Sequence, residues 1–175
     1  NYIFSFRSTY ILNQKLIKNT KVAAINFHPG TPKFRGIGCI NFAILYDSKF
    51  YGVTAHLINK KIDHGKILDV KKFKIQKNTS LTNLLKKTHY QSYLQAKKVM
   101  SMLLKNSHNI KIMIKKNLKT TWSDKLYTRN DLNNLYQIDP KIDKIKLKKI
   151  IRATNTLKYK PYINFYNFKF ELKSN

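Results

Sequence analysis

The chain has 175 residues, 42% hydrophobic and 13% aromatic, with 35 Lys and Arg against 8 Asp and Glu, a net charge of +27. That apolar content suits one folded domain and excludes a disordered chain, while the lone Cys39 excludes an internal disulfide and offers no metal framework. No apolar run reaches the roughly 20 residues of a membrane span and no signal peptide is visible, so a cytoplasmic protein without a membrane partner is expected.

The charge raises the question of nucleic acid, since clustered Lys and Arg attract phosphate. Here the lysines run along the whole chain beside abundant Asn, Ile, Tyr and Phe, residues with A- and T-rich codons. A base bias accounts for that pattern without a nucleic-acid partner, and the surface it leaves still steers anionic substrates.

The chain opens on a strand-like run, Tyr2 to Phe6, without an initiator Met. Ile11, Leu12, Leu16 and Ile17 predict a short helix over 11–19 that joins the first two strands in a βαβ unit. Residues 22–28 read as a buried strand. Asn26 and His28, two apart, point the same way, and Pro29, Gly30 and Pro32 end the pairing just beyond His28. A loop over 31–38 carries Lys33 and Arg35 among glycines, where a phosphate or carboxylate would be received. Cys39 to Tyr46 predicts a core helix with Cys39 as a small buried residue. Residues 51–58 alternate, which sets Thr54 and His56 on one face. Asp63 lies on a tight turn closed by Gly65, from which a carboxylate reaches toward His28, and an apolar run follows from Ile67.

Asn78-Thr79-Ser80 is a capping cluster before a long amphipathic helix with Leu81, Leu84, Leu85, Leu94, Met100, Leu103 and Leu104 inward and Tyr90 and Tyr93 as partial core. Ile110, Ile112 and Ile114 alternate as a strand. Residues 122–130 are polar and aromatic, Asp139-Pro140 predicts a helix start running to Ala153, and 162–172 reads as a hairpin turning at Tyr166-Asn167. Trp122, Tyr127 and Tyr162 are candidates to stack on a base or sugar.

An amide, an imidazole and a carboxylate without a nucleophilic Ser or Cys suit attack of an external nucleophile on a bound carbonyl. The amide and a protonated His stabilise an oxyanion, and the carboxylate takes a proton.

The ordered string Asn26-Phe27-His28-Pro29-Gly30, Arg35-Gly36, Gly52-Val53-Thr54-Ala55-His56 and Ile62-Asp63-His64-Gly65-Lys66-Ile67 closely resembles the folate-dependent formyltransferases. That family includes sugar N-formyltransferases, methionyl-tRNA formyltransferase and glycinamide ribonucleotide formyltransferase. The resemblance implies an α/β, Rossmann-like fold with a mostly parallel sheet flanked by helices, plus a small C-terminal helix and β-hairpin. It implies a catalytic domain over 1–118, truncated at its amino end and so poorly folding or inactive alone, and an extension over 119–175. It implies 10-formyltetrahydrofolate as co-substrate, no metal, and Asn26, His28 and Asp63 as the catalytic trio. Phe6, Arg7, Ser8, Ile62 and Gly65 would border the pterin. Gly30, Lys33, Arg35 and Gly36 would face the acceptor, and Thr54 and His56 would support the trio. His64 receives no role.

The wording around Asn26 and Arg35 to Cys39 looks most like enzymes acting on a nucleotide-linked amino sugar. Methionyl-tRNA formylation is the alternative, disfavoured by the absence of a further barrel domain. An inactive, basic RNA-binding protein of the same fold is the reading from a different class. The sheet edge and the hairpin leave room for a homodimer.

Overall fold

In the computed structural model, which describes residues 1–8 and 10–173, a four-stranded sheet forms the centre. Strand β1 (Tyr2–Phe6) leads through α1 (Gln14–Lys18) to β2 (Ala23–His28), and the two strands pair in parallel. The helix starts later than its apolar residues suggest because Asn13 caps it, its Oδ1 accepting the Leu16 N–H at 2.9 Å.

After β2 come β3 (Arg35–Gly36), α2 (Cys39–Leu45), β4 (Phe50–Leu57) and β5 (Ile67–Lys74). The strand order β1-β2-β4-β5 combines one parallel pairing with two antiparallel ones, so the sheet is mixed where a mostly parallel one was expected. The segment 58–66 between β4 and β5 contains no helix to carry a crossover, and such a connection closes a hairpin. Helix α2 packs against a C-terminal helix instead of crossing the sheet, so β4 enters antiparallel to β2.

Helix α3 (Leu81–Lys105) begins at Ser80, whose hydroxyl accepts the Asn83 N–H, and α4 (Asn109–Lys116) follows. Leu81, Leu84, Thr88, Ser92, Gln95, Ala96, Val99 and Leu103 form the buried stripe of α3. Its middle is small or polar, which lets Gln95 reach the Val53 and Asp69 carbonyls of the sheet, while Leu104, Tyr90 and Tyr93 stay exposed. The strand expected over 110–114 is α4. Ile110, Met113 and Ile114 share one helical face against the core and Ile112 faces out, a period of 3.6 that the short alternation had hidden.

The remainder is β6 (Leu126–Tyr127), α5 (Arg129–Tyr136), α6 (Lys144–Thr154), β7 (Tyr162–Phe165) and β8 (Phe168–Glu171). A capping box of Thr128 and Asp131 starts α5, and Asp143, rather than Asp139-Pro140, caps α6 by accepting the Ile145 and Lys146 N–H groups. The β7–β8 turn falls at Tyr166-Asn167, both at positive φ as a two-residue hairpin loop requires.

One core cluster joins Ile25, Phe27, Ala55 and Leu68 to Ala96, Val99 and Leu103 of α3 and Met113 of α4. A second joins Phe34, Phe42, Ala43, Ile44 and Tyr51 to Leu135, Ile150 and Ala153. The C-terminal third therefore shares a core with the motif-bearing part: Asn41 Nδ2 donates to the Ala153 carbonyl at 2.7 Å and β6 pairs with β3.

Candidate active site

Strand parity builds the site. Ile25 and Phe27 face the helices, which turns Asn26 and His28 to the opposite side, where the antiparallel register sets Asn26 beside His56 and His28 beside Thr54. This polar face is buried, with His28, Thr54 and His56 each 3% exposed or less. Buried polar groups of this kind need partners. Thr54 Oγ1 donates to the Gly30 carbonyl at 2.7 Å, and His28 Nε2 donates to the Phe34 carbonyl at 2.7 Å. Gly30 belongs here for a steric reason, since a Cβ on it would lie 2.5 Å from His28 Nε2.

Asp63 arrives from the 58–66 turn in a left-handed conformation, φ 43°. Its carboxylate is the hub. Oδ2 lies 3.2 Å from His28 Nδ1 and accepts the Gly36 N–H at 3.0 Å, while Oδ1 accepts from Asn26 Nδ2 at 3.3 Å and lies 3.4 Å from His56 Nε2. The turn comes this close to β4 only because residue 65 is glycine: a Cβ there would sit 1.6 Å from the Leu57 carbonyl oxygen. The expected convergence of Asn26, His28 and Asp63 is thus present, and His56 touches two of the three.

The ring protons follow from the partners. His56 Nδ1 faces the Leu57 carbonyl at 2.8 Å and must carry hydrogen, so its Nε2 accepts from Asn26 Nδ2, 3.2 Å away, when the ring is neutral and donates to Asp63 when it is charged. Both His28 nitrogens face acceptors, the arrangement an imidazolium prefers. Burial opposes that charge and holds the His28 pKa below its ordinary value, with the Asp63 carboxylate recovering part of the loss. Burial also works against the Asp63 charge. Hydrogen bonding from His56, the charge of His28 and the Gly36 N–H outweigh it and hold the carboxyl at about 2. The centre therefore keeps one carboxylate between two imidazoles, next to an amide donor.

Arg35, expected to face the acceptor, is buried instead. Its Nε donates to the Asp63 carbonyl at 2.9 Å, Nη2 to the Ile62 carbonyl at 3.0 Å and Nη1 to the Ser123 carbonyl at 2.8 Å. A planar donor fork at this position fixes the backbone of the Asp63 turn and leaves no charged face for a substrate anion. Lys33 is exposed and lines a cleft of about 600 Å³ with Ser48, Lys49, Lys72 and Trp122. Gly36 lines a different cleft, of about 580 Å³, whose inner wall is Pro29, Gly36 and Cys39 and whose outer wall includes Arg129, Tyr136 and Tyr159. The family resemblance turns both residues toward the acceptor; the structure sets them in different clefts.

Phe6 and Arg7 stand at the end of β1, adjoining β2 at the Asn26–Phe27 step, with Ser8 following and Arg7 in a left-handed conformation. Phe6 and Ile62 are exposed apolar residues near Asn26, which keeps partial exposure itself. Trp122 donates its indole N–H to the Gly65 carbonyl at 2.8 Å and meets both histidine rings edge to face. Tyr127 is buried and stacks on Phe42, ring centroids 4.0 Å apart, so it is a core residue rather than a platform for a base. Among the described residues, no three or more His, Cys, Asp or Glu side chains converge as metal ligands would. No described helix is long and apolar enough to cross a membrane.

An anion held by two imidazoles, an amide and a backbone N–H, on a mixed sheet at the end of β2, defines the class. The formyl transferase pattern matches residues 7–104, and the chain belongs to that family. It is 38% identical over 108 residues to the bifunctional polymyxin resistance protein ArnA of Wigglesworthia glossinidia brevipalpis, covering 61% of this chain and 16% of that one. A methionyl-tRNA formyltransferase of Mycoplasmopsis pulmonis is 25% identical over 155 residues, 86% of this chain and 45% of that one. The chain thus spans about a sixth and just under half of these relatives. Among solved structures, a 4-N formyltransferase from Francisella tularensis superposes with a TM-score of 0.78 at 21% identity, covering 98% of this chain and 69% of that one. An N-formyltransferase from Helicobacter canadensis, solved with folinic acid and dTDP-3-aminofucose, superposes with a TM-score of 0.66 at 23% identity, covering 86% and 53%.

Proposed function

We propose that this chain is the catalytic part of a cytoplasmic formyltransferase that moves the formyl group of 10-formyltetrahydrofolate to the primary amine of a nucleotide-linked amino sugar. The observation that carries the reading is the Asp63 carboxylate bound by Asn26, His28, His56 and the Gly36 N–H. The amine attacks the formyl carbon, Asn26 Nδ2 and His28 stabilise the negative oxygen, Asp63 takes up the amine's proton directly or through water, and the bond from the formyl carbon to N10 breaks as that proton passes to N10, releasing tetrahydrofolate. Asn26 alone of the three keeps partial exposure, so the formyl group enters from its side. Phe6, Arg7, Ser8, Ile62 and Gly65 border the pterin there, with exposed apolar side chains for the flat ring. Gly30 and Gly36 shape the acceptor side, Lys33 supplies an exposed cation, and Thr54 and His56 hold the trio in place.

The cleft beginning at Pro29, Gly36 and Cys39 supports the acceptor class, since it combines an apolar floor with Tyr136, Tyr159 and the cations Arg129 and Lys158. Tyrosines for a base and cations for phosphate suit a nucleotide sugar. The dTDP-sugar found in the Helicobacter canadensis enzyme points the same way. The test is incubation with 10-formyltetrahydrofolate and UDP- or dTDP-linked amino sugars, followed by mass spectrometry. Gain of one formyl group, lost in Asn26→Ala and His28→Ala at unchanged fold, is expected; no transfer to any of them would overturn the sugar reading. Methionyl-tRNA is the second reading, favoured by a match to a methionyl-tRNA formyltransferase that extends over 86% of this chain, and charged initiator tRNA in the same assay decides between them.

A further inference from the structure

Trp122 lies beyond residue 104, where the family match ends, yet it is the side chain that covers both active-site histidines. Its ring centroid is 5.0 Å from that of His56 and 5.9 Å from that of His28, with interplanar angles of 83° and 67°. Its N–H holds the Gly65 carbonyl at 2.8 Å, two residues from Asp63. The next residue completes the attachment. Ser123 N donates to the Pro32 carbonyl at 3.0 Å, Ser123 Oγ to the Lys33 carbonyl at 3.0 Å, and its own carbonyl receives Arg35 Nη1. From Trp122 onward the chain therefore grips the His28 loop and the Asp63 turn at once, and β6 extends the attachment by pairing with Arg35 and Gly36.

We propose that Trp122 is a positioning residue for formyl transfer: it fixes the orientation of the His28 and His56 rings and the height of the Asp63 turn, and so makes residues 120–127 part of the active site. The inference rests on the proposed reaction for its kinetic consequence but not for its geometry. Edge-to-face contact leaves a ring one preferred tilt, and the bond to Gly65 prevents the turn from lifting away from β4. The other charged or titratable groups facing the two rings are Asp63 from the turn, Arg35 of β3 and Cys39 from α2. The Phe34 and Leu57 carbonyls, Asn26 and Asp63 hold the ring nitrogens, and Trp122 adds the contact with the ring edges and faces that these partners do not make. A shift of about 1 Å in such a constellation costs up to roughly 100-fold in rate.

The experiment compares the wild-type chain with Trp122→Ala and Trp122→Phe by imidazole ¹⁵N NMR and by steady-state kinetics. The ¹⁵N shifts separate protonated from bare ring nitrogens by far more than the loss of a neighbouring ring current moves them. In Trp122→Ala the Asp63 turn loses its tether to the indole, and the His28 and His56 ring ¹⁵N shifts are expected to leave their wild-type values by more than the loss of a ring current allows. The kcat is expected to fall roughly 10- to 100-fold while KM for the formyl donor changes less than about threefold. Trp122→Phe, which restores a ring without the N–H, is expected to fall between the two, with ¹⁵N shifts closer to wild type and kcat partly recovered. An unchanged ¹⁵N pattern in the alanine variant, an unchanged kcat there, or a phenylalanine variant as impaired as the alanine one would overturn the proposal. A wild-type chain that transfers no formyl group would defeat the proposed reaction and leave the NMR comparison to decide the positioning role.

Discussion

The polar face of β2 and β4 hides His28, Thr54, His56 and Asp63 with Arg35 behind them, whereas the β7–β8 hairpin holds Phe165, Tyr166, Phe168 and Phe170 in the open. Each region reverses the usual sorting of side chains, in opposite senses. In the first, burial is tolerated because the imidazoles, the guanidinium and the carboxylate all have partners within the molecule. Removing one partner leaves another group buried and unsatisfied. In the second, a two-residue turn and a short ladder hold the strands, and the exposed rings add little to the folded state. Sensitivity to substitution should therefore be concentrated in the first region and nearly absent from the second.

The largest expected effect is on turnover. Asp63→Asn keeps the shape and removes the proposed proton acceptor, and formyl transfer should fall by at least about 100-fold in a steady-state assay. Next is Arg35→Met, which removes the donor to the Ile62, Asp63 and Ser123 carbonyls together; urea denaturation should show a loss of about 3 kcal/mol. Gly65→Ala pushes a methyl against the Leu57 carbonyl and should lower stability by about 2 kcal/mol in the same measurement.

The acid response sharpens the contrast further. The Asp63 carboxyl sits at about 2 in the folded chain against an ordinary 3.8, so its stabilisation, roughly 2 kcal/mol, is complete above pH 3.8 and disappears as pH falls through about 2. His28 adds a loss at milder pH. Its folded pKa lies below 6.5, so stability declines once pH drops under that value and protons bind the unfolded chain preferentially. Urea midpoints measured from pH 7 down to pH 2 should fall in both windows, and Asp63→Asn should flatten the lower one. The smallest effect belongs to the hairpin, where Phe168→Ser should leave the urea midpoint within about 0.5 kcal/mol of wild type; a large loss there would break the comparison.

Much of the site was legible in the sequence because it depends on short-range rules. Strand parity put Asn26 with His28 and Thr54 with His56, and the Asp-His-Gly turn announced the position of Asp63. What stayed hidden depends on contacts distant along the chain. Arg35 reads as a loop cation until Ser123 is seen to cap it, and Trp122 reads as a surface aromatic until the 58–66 turn arrives beneath it. Helix α5 was missed although its signal was present, since Thr128 and Asp131 have the spacing of a capping box. The strand misassigned over 110–114 shows the limit of periodicity in a segment too short to separate a period of 2 from one of 3.6.

Cys39 carries the chain's only thiol, and it lies 3.8 Å from His28 Nε2 with its hydrogen directed at the Gly36 carbonyl. Burial raises the thiol far above the usual range, so the closed molecule presents almost no reactive thiolate. The Cys39 sulfur borders the cleft beside Gly36 but is almost wholly covered, so alkylation should be slow unless the loop and helix around it move. The rate at which a small thiol reagent consumes Cys39 is consequently a native gauge of motion beside the candidate site, available without any added label.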